Sequence, residues 1–247
     1  MSKRNRDAAR AERIAKAAAL RKEQERQEAR RRYLMIGGVV AALLVIVVGG
    51  WFLSRALDTT AKVDAPAAGS KYGVTIGPKD APHDVVIYED FLCPFCGELE
   101  AETHEKLATL ADDGKVRVEY RPFNLLSSLG DYSARSAEAF SIVLDKSGPD
   151  VAKKFHDLLY ANQPEEKGPF PSNEDILKLA VQAGASEADV KDAIKNVDGK
   201  GAWVTDATQA ALDAGVRSTP TILLDGKVYQ DGRTPAEIGD NLIAELS

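Results

Sequence analysis

Apolar and polar positions fall into three regimes along this 247-residue chain, and each predicts a different kind of element. Tyr33 to Ser54 (YLMIGGVVAALLVIVVGGWFLS) contains no charged residue. As a helix it would span about 33 Å at ~1.5 Å per residue, enough for a bilayer core of ~30 Å. Tyr33 at one end and Trp51-Phe52 at the other suit the two interfaces, so a single transmembrane helix is predicted over 33–54. Strand-type patterning begins at Tyr72 to Ile76 and is clearest in His83 to Phe91 (HDVVIYEDF), where Val85, Val86, Ile87 and Tyr88 are β-branched or aromatic. Val116 to Tyr120 alternates as a third strand. Between them, Gly97 to Gly114 spaces Leu99, Leu107 and Leu110 among Glu, Lys and Ala at helical intervals.

Helical spacing dominates the next eighty residues. Helices are expected at Asp131 to Asp145, Asp150 to Asn162, Asn173 to Gly184, Ser186 to Asn196 and Ala202 to Ala214. Asn173 and Ser186 are the expected N-caps, with Asp189 in the capping-box position of the second. Gly168, Pro169 and Pro171 mark a break. Thr221 to Leu224 and Lys227 to Tyr229 flank Asp225-Gly226, a hairpin signal, and an amphipathic helix capped by Thr234 runs from Pro235 to Leu246. The boundaries that follow are a tail over 1–32, the membrane helix over 33–54, a linker over 55–70 and an α/β domain over 71–247, with a helical block at about 128–216. A flexible 16-residue linker has an r.m.s. span of about 20 to 24 Å, enough to hold the domain near a membrane without docking it.

Charge changes the picture by giving it a direction. Residues 1–32 carry 12 Lys+Arg against 5 Asp+Glu, a net of +7, and the remaining 215 carry 20 against 33, a net of −13 within the overall −6. A basic flank stays cytoplasmic, so the acidic domain is expected on the outer side of the membrane, single-pass, with the N-terminus inside. A cleaved signal peptide has an apolar core of about 7 to 15 residues followed closely by an A-x-A site. Here the run is longer and Ala65-Pro66-Ala67 lies well past its end, which favours an uncleaved anchor. The tail has no aromatic residue to stack on bases, and its positive run is broken by Asp and Glu, so affinity for anionic headgroups of the lipid bilayer explains it more simply than nucleic-acid binding.

The chain has only two cysteines, in Cys93-Pro94-Phe95-Cys96. The loop between them is too short for a large entropic gain from a staple, which favours reversible thiol–disulfide chemistry, and an extracytoplasmic setting lets disulfides persist. The pair falls at a strand-to-helix junction. Pro94 suits the first helical position, placing Cys93 at the N-cap, where free N–H groups and the helix dipole stabilise a thiolate; Cys96 should be more buried and less acidic. Zinc needs about four ligands, and His83, His104 and His156 offer no companion pair at useful spacing, so no bound metal is expected, at the cysteines or elsewhere. His104 reads as a partly buried helix residue. Of Glu89 and Asp90, alternation is expected to send at least one to solvent.

On Phe91-Leu92-Cys93-Pro94-Phe95-Cys96 after a strand, the long helical block, and Val216-Arg217-Ser218-Thr219-Pro220-Thr221 before a hairpin, the chain from Tyr72 to Ser247 resembles the DsbA-type family of thioredoxin-fold thiol:disulfide oxidoreductases. The resemblance implies a thioredoxin fold with a helical insertion, Cys93 as nucleophile and Cys96 as resolving cysteine, and a cis Thr219-Pro220 bond facing them. In that position Thr219 would offer its backbone to an extended substrate peptide. It further implies a bacterial cell membrane and envelope as the setting, no cofactor beyond the Cys93–Cys96 disulfide, extracytoplasmic protein thiols as substrates, and reoxidation by a quinone-linked membrane oxidase of the DsbB or vitamin K epoxide reductase (VKOR) type. The chain departs from the family pattern at Phe95, where a histidine often stands; phenylalanine supplies neither hydrogen bond nor charge, so thiolate stabilisation falls to the helix terminus and Thr219. A disulfide-forming oxidase is the leading reading. A reductase or isomerase of the same fold and a non-catalytic, envelope-anchored peptide-binding module are its rivals.

Overall fold

The computed structural model describes Val63 and residues 69–247. Strands β1 (Val74–Ile76), β2 (His83–Glu89), β3 (Val116–Pro122), β4 (Thr221–Leu224) and β5 (Lys227–Tyr229) form one sheet in the order β1-β3-β2-β4-β5. Central β2 runs parallel to β3, with Val85 opposite Val118, and antiparallel to β4, with Ile87 opposite Ile222. A parallel pair needs a crossover, and α1 (Pro94–Asp112) provides it. Between β3 and β4 lie α2 (Tyr132–Ser147), α3 (Pro149–Ala161), α4 (Asn173–Ala183), α5 (Glu187–Lys195) and α6 (Ala202–Asp213), and α7 (Pro235–Leu246) follows β5 and packs on α1. This is the expected α/β architecture with its helical block between the two halves of the sheet.

The sequence of β2 explains its central place. Val85 and Ile87 enter the larger core with Val118, Tyr120 and Ile222 of the neighbouring strands, Leu99 and Leu107 of α1 and Leu242 of α7. Val86 and Tyr88 enter a smaller core on the opposite face, with Leu223, Phe123 and the residues ending and following α6, Ala211, Ala214 and Val216. A strand covered on both faces reads as a continuous apolar run rather than an alternation.

Local chemistry shifts one expected cap and leaves another in place without its side-chain bond. Ser172, not Asn173, caps α4: its side chain accepts from the Asp175 N–H and the Asp175 side chain accepts in return from the Ser172 N–H, closing a capping box. Asn173 instead donates to the carbonyls of Lys195 and Val197 at 3.1 and 2.9 Å, tying α4 to the end of α5. Ser186 stands at the cap of α5, but its side chain makes no capping bond, and the Asp189 N–H is taken by the Ser186 carbonyl at 3.0 Å. The Asp225-Gly226 turn forms with φ of 49° and 77°, the paired positive values of a type I′ hairpin.

No helix among the described residues is long and apolar enough to cross a membrane. The expected tail, the 33–54 span and most of the 55–70 linker lie outside the described residues. Ser70, at the end of that linker, donates its N–H to Glu119 of β3 at 2.9 Å.

Candidate redox site

β2 delivers the chain into a tight turn that Asp90 organises. Its carboxylate accepts from the N–H groups of Leu92 at 2.8 Å, Leu125 at 2.8 Å and Leu126 at 2.9 Å, joining the turn before the cysteines to the loop after β3. Its backbone carbonyl accepts from the Cys93 N–H at 2.9 Å. Cys93 then takes extended N-cap dihedrals (φ −72°, ψ 116°), with Pro94 opening α1. The Cys93 carbonyl accepts from the N–H groups of Cys96 and Gly97 at 3.1 and 3.2 Å.

Gln163, just beyond α3, reaches across to clamp the same turn. Its side-chain amide donates to the Phe91 carbonyl at 3.0 Å and the Cys93 carbonyl at 2.9 Å. Room for it depends on Gly97, where a Cβ would stand 2.4 Å from the Gln163 Oε1. Gln163 was not anticipated from the sequence, because nothing local distinguishes it from any other exposed-type glutamine after a helix.

The two thiols are free, and their surroundings divide them. Cys96 is fully buried, and burial, reinforced by its hydrogen bond to Cys93 and by Glu89, raises its pKa well above 9.0. Cys93 moves the other way, from 9.0 to about 6: the hydrogen bond from Cys96 is the largest influence, burial opposes it, and the Thr219 side chain and the backbone N–H groups of Cys96 and Phe95 add to it. These are helix N-terminal donors stabilising an anion. In its protonated form the Cys93 thiol donates to the Thr219 carbonyl at 3.3 Å, and the Thr219-Pro220 bond is cis. Pro94 and Phe95 face outward, Phe95 with 57% of its surface exposed. Cys93, Cys96, Pro94, Phe95, Thr219 and Pro220 thus converge on one patch at the N-terminus of α1.

Glu89 and Asp90 correct the sequence expectation: both are completely buried. Alternation fails as a guide because β2 has no solvent face, and each carboxylate has its own compensation. Asp90 has its three backbone donors, although burial still raises its pKa above 3.8. Glu89 meets the Nε2 of His156 on α3, a pair wholly inside the core. The other imidazole nitrogen, Nδ1, lies 3.0 Å from Asp157, which also holds Lys153. Burial works against an imidazolium at His156, but Glu89 and Asp157 outweigh it and raise its pKa to about 9. Glu100 of α1 completes the cluster: burial lifts it to about 8, a rise that His156 opposes and Glu89 reinforces. His104, half-buried on the same helix, places Nδ1 2.7 Å from the Glu100 carbonyl and stands apart from the cysteines.

Comparison with known proteins places this arrangement. A family model described as Thioredoxin matches residues 69–243. The reduced form of the disulfide bond oxidoreductase DsbG from Mycobacterium tuberculosis superposes with a TM-score of 0.60 at 32% identity, covering 72% of this chain and 88% of that one. The probable disulfide bond formation protein D of Bacillus cereus is 26% identical over 157 residues, 62% of this chain and 70% of its own length. The Na(+)/H(+) antiporter NhaA 3 of Salinispora tropica is 30% identical over 151 residues, 61% of this chain but only 21% of the antiporter, so the chain spans about a fifth of that relative.

Proposed function

The chain belongs to the thioredoxin family, with the DsbA-like fold of thiol:disulfide oxidoreductases, and from that we propose that it is a membrane-anchored oxidase that forms disulfides in proteins outside the cytoplasm. The observation that carries the reading is the asymmetry between its cysteines: Cys93, 4% exposed at the N-terminus of α1, ionises at about 6, while Cys96 is fully enclosed with its pKa well above 9.0.

The chemistry follows from that asymmetry. A substrate thiolate attacks the Cys93 sulfur of the Cys93–Cys96 disulfide, the S–S bond breaks, and Cys96 leaves and takes up a proton. A second substrate thiolate then attacks the substrate sulfur of the mixed disulfide, and Cys93 departs as a thiolate. Two electrons pass from the substrate to the protein, and the substrate keeps a new disulfide. A low pKa makes Cys93 a good leaving group, and stabilising its thiolate stabilises the reduced form, which makes the disulfide more oxidising. Thr219, on the open side of Cys93, offers backbone to an extended peptide, and exposed Phe95 offers it an apolar contact.

Location rests on the sequence. The apolar run over 33–54 would anchor the chain, and the +7 tail over 1–32 would hold its N-terminus inside. A quinone-linked membrane oxidase of the DsbB or VKOR type would remove the two electrons, since the site must be reoxidised after each turnover. A Cys96→Ala variant of the full chain tests the exchange step: without the resolving thiol, Cys93 should accumulate reducible covalent adducts with envelope proteins in growing cells. Absence of any adduct that disappears in Cys93→Ser/Cys96→Ala would count against the proposal and for a peptide-binding module.

A further inference from the structure

The buried cluster of Glu89, Glu100 and His156 is not consumed by the exchange chemistry. Each residue comes from a different element: Glu89 ends β2, Glu100 lies in the second turn of α1 and His156 sits on α3. One carboxylate oxygen from each glutamate and one nitrogen of the histidine lie within 4.8 Å of one another. Such a group could be a closed ion cluster, satisfied by sharing protons. Two observations bear on that reading.

The first is hydrogen bonding. Both oxygens of Glu100, which is only 2% exposed, have no partner among the described residues, and neither has the second oxygen of Glu89. Buried carboxylate oxygens ordinarily find donors, and no donor among the described residues reaches either oxygen of Glu100. The second is charge. Glu89, Glu100 and Asp157 bring three carboxylates and Lys153 one ammonium, so the metal-free cluster balances only by holding two protons, one on His156 and one on Glu100, and a divalent cation would supply the same two positive charges.

We propose that Glu89, Glu100 and His156 bind one divalent transition-metal cation, Zn²⁺ matching best the mixture of imidazole and carboxylate donors. A neutral His156 would offer its Nε2 lone pair, while Nδ1 donates to Asp157 at 3.0 Å. That carboxylate–histidine pairing is the one that orients metal-ligating imidazoles. Two ligand atoms on a tetrahedral zinc stand about 3.4 Å apart, given bonds of about 2.1 Å, so rotamer adjustments suffice: the Glu89–His156 contact opens and Glu100 closes in. A groove of 260 Å³ bordered by Gly97, Glu100, His104, Asp157 and Tyr160 runs beside the cluster and gives an ion an approach to Glu100. The ion would pin the redox helix α1 and the inserted helix α3 to the end of β2, making it a structural centre a turn deeper into α1 than Cys96.

The test is zinc titration of the untagged full chain in detergent, with Cys93 and Cys96 held as the disulfide so that the thiols cannot take the metal. Isothermal calorimetry should find one saturable site per chain at micromolar Kd or tighter, and thermal unfolding should shift upward with zinc. Glu100→Gln, which keeps the side-chain shape, should weaken binding at least tenfold and remove the shift; Glu89→Gln should do likewise if the first variant folds poorly by circular dichroism. No saturable binding by the wild-type disulfide form, or equal binding by folded Glu100→Gln, overturns the proposal. The first outcome leaves a proton-sharing cluster and the second an adventitious surface site.

Discussion

The Cys93 sulfur lies 3.3 Å from the backbone carbonyl of Thr219, a residue 126 positions later in the chain. The surroundings of Cys93 are therefore set by two parts of the sequence that the whole helical block separates. α1 supplies the N–H groups that favour the anion, and the Thr219-Pro220 segment closes the opposite side.

Replacing Thr219 by Ala should raise the Cys93 pKa from about 6, because the Thr219 side chain is one of the groups that holds it down. A hydrogen bond to a charged group is worth on the order of 1.5 kcal/mol, or about one pKa unit. The pH profile of Cys93 alkylation in the two reduced proteins, where fully buried Cys96 reacts far more slowly, measures it. An unchanged profile would remove Thr219 from the set of stabilising groups.

The same shift makes stability depend on pH in a definite direction. Cys93 has a lower pKa folded than unfolded, so its stabilisation of the dithiol form is present above the unfolded value, near 9, and is lost as pH falls through about 6. Cys96, with a raised pKa, acts oppositely and only at higher pH, where its thiol would begin to ionise in the unfolded chain. Between pH 5 and 8 the reduced protein should therefore gain stability relative to the oxidised one, a difference in which the other titrating groups largely cancel. Parallel guanidinium unfolding of the two forms reads it; a constant or falling difference would contradict a depressed Cys93.

Gly97 and Gln163 should be coupled. Gly97→Ala adds a helix-favouring residue worth about 1 kcal/mol, but in the wild type its Cβ would sit 2.4 Å from the Gln163 side chain and dislodge the two hydrogen bonds that clamp the Phe91 and Cys93 carbonyls. In a Gln163→Ala background the obstacle is gone. Gly97→Ala is expected to be neutral or destabilising alone and stabilising by about 0.5 to 1 kcal/mol in that background. Denaturant unfolding of the four proteins closes the cycle, and additive effects would refute the coupling.

Much of the site was legible because its signals are local. Apolar patterning located β2 and α1 to within a few residues, Pro94 placed Cys93 at an N-cap, and Asp225-Gly226 marked the hairpin. What was not legible depends on packing between distant segments. Alternation would expose Glu89 or Asp90, yet β2 is central and both are buried, one against His156 67 residues away and the other against the loop after β3. His156 appeared as a spare histidine without a companion pair, because its partners Glu89 and Glu100 lie on other elements. The cap of α4 moved to Ser172 because Asn173 had a tertiary task on α5, which no local rule encodes.

The central claim is that Cys93 and Cys96 work as an outward-facing oxidising pair, and the most direct test is their redox state in growing cells. Rapid acid quenching followed by thiol alkylation with a mass tag separates the disulfide from the dithiol in the full-length chain. The account predicts a predominantly oxidised pair at steady state that becomes reduced when reoxidation by membrane quinones is blocked. A pair that is predominantly reduced in untreated cells would contradict it and assign the protein to reduction or isomerisation.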